Sequence, residues 1–446
     1  MRFMATDVAQ SVAGELVGAN AHLSGVSFDS RTILPGQLFV PIIDQRDGHD
    51  FITDALTRGA GAYLTSREPQ GRTAIKVTDT LQALSMFGKW GRGNLENQLQ
   101  GRVVGVTGSV GKTSTKDLIA SALAVRFRTH ANQLSYNNDF GLPTTILNAP
   151  DDIEALVLEM GMRGFGEISR LCNVAQPIIG VVTAVANAHT ERVGSLDGVA
   201  KAKRELVEAL PSSGIAVLNA DDENVYAMRE FTSAKVITYG TCDTGSRNDL
   251  RKASRDADVR MMTCELDEVG RAKAKVATPW GEVVLEMRVA GRHMAQNALA
   301  AICVAGALDI DVVAAASALS VATISDSRMQ IRALKSGATV IDDSYNANPA
   351  SMRAALDTLA SFNATSRVAF CGLMAELSDP KTEHKSIRNY AEELGIKFVA
   401  VDTDLYGVEP VSFDHAKSEM KKLQKGDVAM VKGSKVTGLV RLCDGL

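Results

Sequence analysis

The chain has 446 residues, 45% of them hydrophobic and 22% charged, with 48 Lys+Arg against 52 Asp+Glu and a net charge of −4. Such a length corresponds to about three domains of roughly 100–200 residues each. The composition excludes an extended disordered chain, and the near-neutral charge leaves no overall basic field to recruit nucleic acid by counterion release.

The opening stretch "MRFMATDVAQSVAGELVGANAHLSG" is interrupted by Asp7, Gln10 and Glu15 and so lacks the apolar core of a secretion signal. Residues 1–97 alternate short apolar runs with helical patterns, as in "QLFVPII" and "GHDFITDALTRGAGAYLTSR", and predict a small α/β domain. The polar stretch "GRGNLENQLQGR" predicts a connecting loop. Residues 98–321 then run "VVGVTG", "KTSTKDLIASALAVRF", "ALVLEMG", "IIGVVTAV", "GVAKAKRELVEAL" and "GIAVLNA". Buried-looking strands that alternate with helices predict a mostly parallel sheet covered on both faces. Period-two alternation over "VRMMTCELDEVGRAKAKVATPWGEVVLEMRV" predicts a hairpin region inserted in that domain, with turns at Val269-Gly270 and Pro279 to Gly281, and two helices follow between His293 and Leu319. Residues 322–446 repeat the βαβα order and predict a C-terminal Rossmann-like domain without a G-x-G-x-x-G fingerprint. Apolar runs such as "LAAICVAGALDI" are too short to cross a bilayer. The six cysteines form no C-x-x-C pair, so neither a zinc site nor a disulfide framework is expected, and a reduced cytoplasm fits best.

"GVTGSVGKTS" spans Gly105 to Ser114 between an apolar strand and a helical pattern. Glycines there let backbone N–H groups converge on an anion at a helix N-terminus. Gly108, Ser109, Val110, Gly111, Lys112, Thr113 and Ser114 are therefore a candidate phosphate site, with Lys112 as a point charge for the terminal phosphates and the Thr113 hydroxyl for Mg²⁺. The strict pattern G-x-x-x-x-G-K-[ST] misses by one place, since its first glycine falls on Val106. A GTPase would need a guanine-reading N-K-x-D stretch. "NADD" at Asn219 to Asp222 lacks the lysine, and "DEVG" at Asp267 to Gly270 lies in the hairpin region, which disfavours that class.

The loop resembles the ATP loop of the Mur ligase family, which departs from the strict pattern in the same way. "SYNNDFGLPTTIL", "LEMGMRGFGEI", "NAHTERVGSLDGVAKAKREL", "GRHMAQNALAA", "DDSYNANPASM" and "MAEL" extend the resemblance, and "SFDSR" and "DGHDFI" resemble the family's nucleotide-sugar-binding domain. "YNNDFG" and "DSYNANP" point to the branch that adds D-alanyl-D-alanine to UDP-N-acetylmuramoyl-tripeptide. The resemblance implies a cytoplasmic, monomeric ligase that uses ATP and two Mg²⁺ ions to turn a peptide carboxylate into an acyl phosphate, which an amine then attacks.

It also implies roles for particular residues. Thr113, Glu159 and His189 fall on the metal side, and Lys203, rather than Lys201, carries a carbamate formed from CO₂ that serves as a further metal ligand. Asn297 falls on the adenine side, Arg328 reaches the γ-phosphate from the C-terminal domain, and Asp343 takes the ribose. Tyr345 and Asn346 line the nucleotide, and Asn348 the amine substrate. For the UDP-sugar substrate the candidates are Asp29, Ser30 and Arg31, a set equally readable as a salt-bridged turn, together with Asn137 and Asn138. Ala184 and Ala186 depart from the family's Asn and Gly, and Asp139-Phe140 from its Glu-Ile. Two alternatives stay open: a sister ligase that adds a single amino acid, and a ligase-like binding subunit without turnover.

Overall fold

A computed structural model describes residues 1–133, 136–186, 193–242 and 256–444. The central feature is a nine-stranded sheet in which Val103–Thr107 lies between Ile179–Val182 and Ala155–Glu159, all three buried along their whole length. Pairing is parallel from Thr129–Ala131 across to Val259–Leu266 and antiparallel for the last two strands, Arg271–Thr278 and Gly281–Ala290. Strand side chains alternate between two cores. Val104, Val106 and Val157 pack with helices Lys112–Leu123, Arg292–Ala307 and Val312–Val321, whereas Val103, Leu156 and Leu158 pack with helices Gly141–Leu147, Glu167–Ala175 and Leu196–Glu208. Apolar side chains on both faces are what a covered parallel sheet demands. The predicted hairpin forms and continues this same sheet to its edge, with burial on every second residue.

The N-terminal residues form a five-stranded sheet in the order Glu15–Val17, Ala74–Lys76, Ala62–Thr65, Leu38–Phe39, Val26–Ser27, plus the antiparallel pair Arg2–Met4 with His22–Ser24. The predicted loop "GRGNLENQLQGR" is mostly helical instead. Its first part completes helix Thr80–Asn94, and Glu96–Leu99 follows as a short helix. Within this stretch Gly101, at φ 79°, serves chain reversal, whereas Gly91 and, just before the stretch, Gly88 serve helix packing. An added Cβ would stand 2.6 Å from Pro143 Cβ at Gly88 and 2.8 Å from Leu147 Cδ2 at Gly91. Arg92 is buried there, donating from Nε to Ala175 O at 2.9 Å and from Nη1 to Glu96 at 2.6 Å.

The C-terminal sheet runs Gln330–Ala333, Thr339–Asp342, Asp427–Lys432, Ser366–Cys371, Lys397–Ala400, with only the first pair antiparallel. Helices Pro349–Ser361 and Pro380–Glu393 cover one face and Phe413–Lys421 the other. Among the described residues, no helix is long and apolar enough to cross a membrane.

Candidate active site

The loop after Val103–Thr107 has Gly108 at φ 152° and Gly111 at φ 80°, backbone conformations that side chains disfavour, and a Cβ on Gly108 would overlap Thr183 Oγ1. Thr183 Oγ1 donates to Val110 O at 2.6 Å, Ser109 N to Ala184 O at 2.7 Å, and Ser109 Oγ to Ala186 O at 3.0 Å. Residues 183–186 thus shape the loop largely through their backbone, which explains why alanines suffice at 184 and 186. Helix Lys112–Leu123 starts at Gly111 without a side-chain cap. Lys112 Nζ donates to Gly108 O at 2.7 Å, folded back over the loop. Burial lowers the Lys112 ammonium below its usual range, Glu159 and Glu376 oppose that, and Arg328 adds to it. Ser114 is buried in the first turn.

Glu159 ends strand Ala155–Glu159 and is only 2% exposed. Its carboxylate accepts from Thr113 Oγ1 and from Asn137 Nδ2, both at 2.7 Å. Asn132 fixes its backbone, accepting from Glu159 N at 2.9 Å and donating to Glu159 O at 3.2 Å. Lys203, on helix Leu196–Glu208, is 1% exposed, while Lys201 stays exposed with Nζ 5.7 Å from the Phe165 ring centroid. Desolvation, with repulsion from Lys112, holds the Lys203 amine well below the usual lysine value. His189 lies outside the described residues. Among the described residues, no group of three or more His, Cys, Asp or Glu is placed to hold a metal. A buried carboxylate joined to a hydroxyl still suits Mg²⁺, which takes one or two carboxylates and completes its shell with water and substrate phosphates.

The C-terminal part reaches this cluster directly. Arg328 Nη2 donates to Thr113 Oγ1 at 2.8 Å, and the guanidinium lies 4.2 Å from the Tyr345 ring centroid. Asp343 accepts from Lys432 Nζ at 2.5 Å and from Met329 N at 3.2 Å, and Lys432 also donates to Asn346 O at 2.9 Å. Asn297 packs on the loop, its Oδ1 2.8 Å from where a Gly111 Cβ would stand. Asn348 caps helix Pro349–Ser361 by accepting from Ser351 N at 2.9 Å.

On the N-terminal side, Asp29 accepts from Arg31 Nε at 2.9 Å and from Arg31 Nη2 at 2.7 Å, and the arginine holds that carboxyl below its usual range. Arg31 is exposed and Ser30 buried. Phe28 sets its ring edge against Tyr136 at 5.3 Å and Phe140 at 5.0 Å, joining this turn to the segment that carries Asn137 and Asn138. Asn138 Oδ1 accepts from Gly141 N at 2.9 Å, while the Asn137 amide is turned to Glu159.

The fold therefore gathers the loop, Asn137, Glu159, Asn297, Arg328 and Tyr345. Asp29, Ser30 and Arg31 adjoin this centre through Phe28, whose ring meets Tyr136 and Phe140. Sequence reading missed Asn132, Lys432 and Glu376. A lysine closing the apolar strand Asp427–Lys432 was the available signal for Lys432, and Glu376 at φ 61° lies in "MAEL".

Residues 106–305 match the Mur ligase middle domain, and residues 327–435 match the Mur ligase, glutamate ligase domain. The chain is 35% identical to the UDP-N-acetylmuramoyl-tripeptide--D-alanyl-D-alanine ligase of Mycobacterium tuberculosis, over 94% of this chain and 91% of that one. It is 34% identical to the Escherichia coli ligase of the same name, over 86% and 82%. Its fold is similar to the crystal structure of MurF from Acinetobacter baumannii, with a TM-score of 0.88 at 26% identity over 99% of this chain and 98% of that one. It is also similar to MurF from Thermotoga maritima in complex with ADP, with a TM-score of 0.79 at 25% identity over 94% and 96%. Matched along nearly its whole length, the chain belongs to the Mur ligase family.

Proposed function

We propose that the chain joins D-alanyl-D-alanine to UDP-N-acetylmuramoyl-tripeptide with conversion of ATP to ADP and phosphate. The observation that carries the reaction is the contact of Arg328, from the C-terminal part, with Thr113 in the phosphate loop, where Thr113 in turn meets Glu159. Groups from two sheets then bear on one phosphate position, which phosphoryl transfer requires. The choice of substrates rests on the relatives named for them, each at about a third identity over most of the chain.

In this reading the loop N–H groups and Lys112 hold the ATP phosphates, and Arg328 faces the γ-phosphate. Asn297 lies toward the adenine, Asp343 toward the ribose, and Tyr345 and Asn346 line the nucleotide. Thr113, Glu159, His189 and a carbamate on Lys203 would hold the two Mg²⁺ ions. Bound Mg²⁺ neutralises charge on the phosphates during transfer. Burial favours the neutral Lys203 amine, the form that reacts with CO₂. Asp29, Ser30, Arg31, Asn137 and Asn138 face the UDP-sugar peptide, and Asn348 the incoming amine. The peptide carboxylate attacks the γ-phosphorus, the bond to the β,γ-bridging oxygen breaks, and ADP leaves as the acyl phosphate forms. The dipeptide amine adds to its carbonyl, and the tetrahedral intermediate expels phosphate as the amide forms.

Phosphate release with ATP, Mg²⁺, bicarbonate and the muramoyl tripeptide tests this against a panel of amines. D-alanyl-D-alanine should support turnover, whereas diaminopimelate, lysine and glutamate should not. Turnover with a single amino acid alone would assign the chain to a sister ligase, and none with any amine would leave a binding subunit.

A further inference from the structure

The segment between the central and C-terminal sheets runs along the phosphate-loop helix and is held on both sides of Arg328. Toward the helix, Ser325 donates to Asp117 Oδ2 from its N at 2.8 Å and its Oγ at 2.7 Å, while Arg328 reaches Thr113. Thr113 and Asp117 are four residues apart, so these two attachments lie about one turn apart on one helix face. Toward the C-terminal sheet, Ser327 Oγ donates to Asp342 Oδ2 at 3.3 Å, Tyr345 N donates to Ser327 O at 3.2 Å, and Met329 N donates to Asp343.

Both carboxylates are themselves fixed. Asp342 is fully buried and accepts from Arg332 Nη2 at 2.7 Å and Ser344 Oγ at 2.6 Å. Asp117 pairs with buried Lys116 at 2.7 Å. Ser327 and Met329, the neighbours of Arg328, sit at φ 57° and 51°, a left-handed backbone that L side chains adopt only where surrounding contacts impose it. The buried Arg328 Nε has no hydrogen-bond partner among the described residues, so this backbone does more than Nε to set the direction of the side chain.

We propose that Asp117 and Asp342 are positioning residues that clamp residues 325–329 from opposite sides and aim Arg328 at the phosphate loop. The proposal rests on the functional reading above for its activity assay. Ser325→Ala and Ser327→Ala each remove one anchoring hydroxyl while leaving both carboxylates paired, which spares the fold that Asp342→Asn would endanger. Each should lower kcat about tenfold, as displacement of an aligned group does, with KM for ATP changed less than about twofold. In an Arg328→Ala background the same changes should alter kcat less than about twofold, because the group they aim is gone. Equal losses in both backgrounds would overturn the clamp. Amide hydrogen exchange supplies a readout without turnover. Ser327→Ala should speed exchange at Ser325, across Arg328, and unchanged protection there would also overturn it. If the wild type turns over only with another amine, the functional reading falls and the kinetic comparison is run with that amine. If it turns over with none, exchange decides.

Discussion

Lys201 and Lys203 are two positions apart on one helix, yet one is exposed beside Phe165 and the other buried near Lys112. An ammonium at Lys203 would be desolvated and would face a like charge, so the side chain costs stability rather than adding to it. Lys203→Met should therefore leave the melting temperature unchanged or raised while phosphate release is lost. A melting temperature that falls along with turnover would mark Lys203 as a structural residue. His293 offers the opposite kind of test. Burial pushes its imidazole down to about 4 from the ordinary 6.5, against the attraction of Asp343 and with repulsion from Lys432. Between those values the unfolded chain binds more protons than the folded one, so stability is full above pH 6.5 and is lost as the pH falls toward 4. The loss at pH 5 is on the order of 2 kcal/mol. Melting followed from pH 7 to pH 5 should show a shallower fall in His293→Gln than in the wild type. Equal slopes would remove His293 as the cause.

At the scale of elements, helix Thr80–Asn94 shows why a local pattern misleads. The stretch from Gly91 to Arg102 reads as a linker, but Gly91 and the preceding Gly88 let the helix approach Leu147 and Pro143. Gly88→Ala should destabilise by about 1–2 kcal/mol, because overlap with the proline ring outweighs the gain in helix propensity. Gly93, exposed and with nothing within 4 Å of an added Cβ, is the control. Gly93→Ala should stabilise by about 0.5 kcal/mol, and urea unfolding of the two variants compares them directly. The same contrast governs how much of the site was legible. "GVTGSVGKTS" could be read from sequence because its strand, glycines and helix start are adjacent in the chain. So could Glu159, which closes an apolar strand. The Lys432–Asp343 pair could not, because its partners are 89 residues apart and meet only through the parallel pairing of Thr339–Asp342 with Asp427–Lys432. Asn132 was hidden for a related reason. It serves Glu159 through backbone groups, and no spacing rule announces such a contact.

Across the whole molecule, the two outer units join the central sheet by different means. The N-terminal side is seated through close helix packing at Gly88 and Gly91, the rings of Phe28, Tyr136 and Phe140, and Asn148, whose amide pairs with both backbone groups of Val26 at 2.8 and 2.9 Å. The C-terminal side meets the centre through the polar contacts of Ser325 and Arg328 and through an apolar contact at the hairpin turn, where Gly270 abuts Phe362. The contacts at Ser325 and Arg328 can exchange with water, and we propose that the C-terminal unit swings about the apolar contact at the hairpin turn. Arg328 is the group whose position such a swing controls. In Arg328→Ala, the loop and Lys112 still hold the nucleotide, and ATP affinity by calorimetry should stay within about threefold of the wild type. Turnover should fall about 10²–10³-fold, the usual loss when one charged donor to a developing transition state is removed. Arg328→Lys restores the charge but not the planar fork or the stacking on Tyr345, so it should recover only part of that loss. A matching loss of ATP affinity in Arg328→Ala would make Arg328 a ground-state ligand, and closure of the C-terminal unit would then have no part in catalysis.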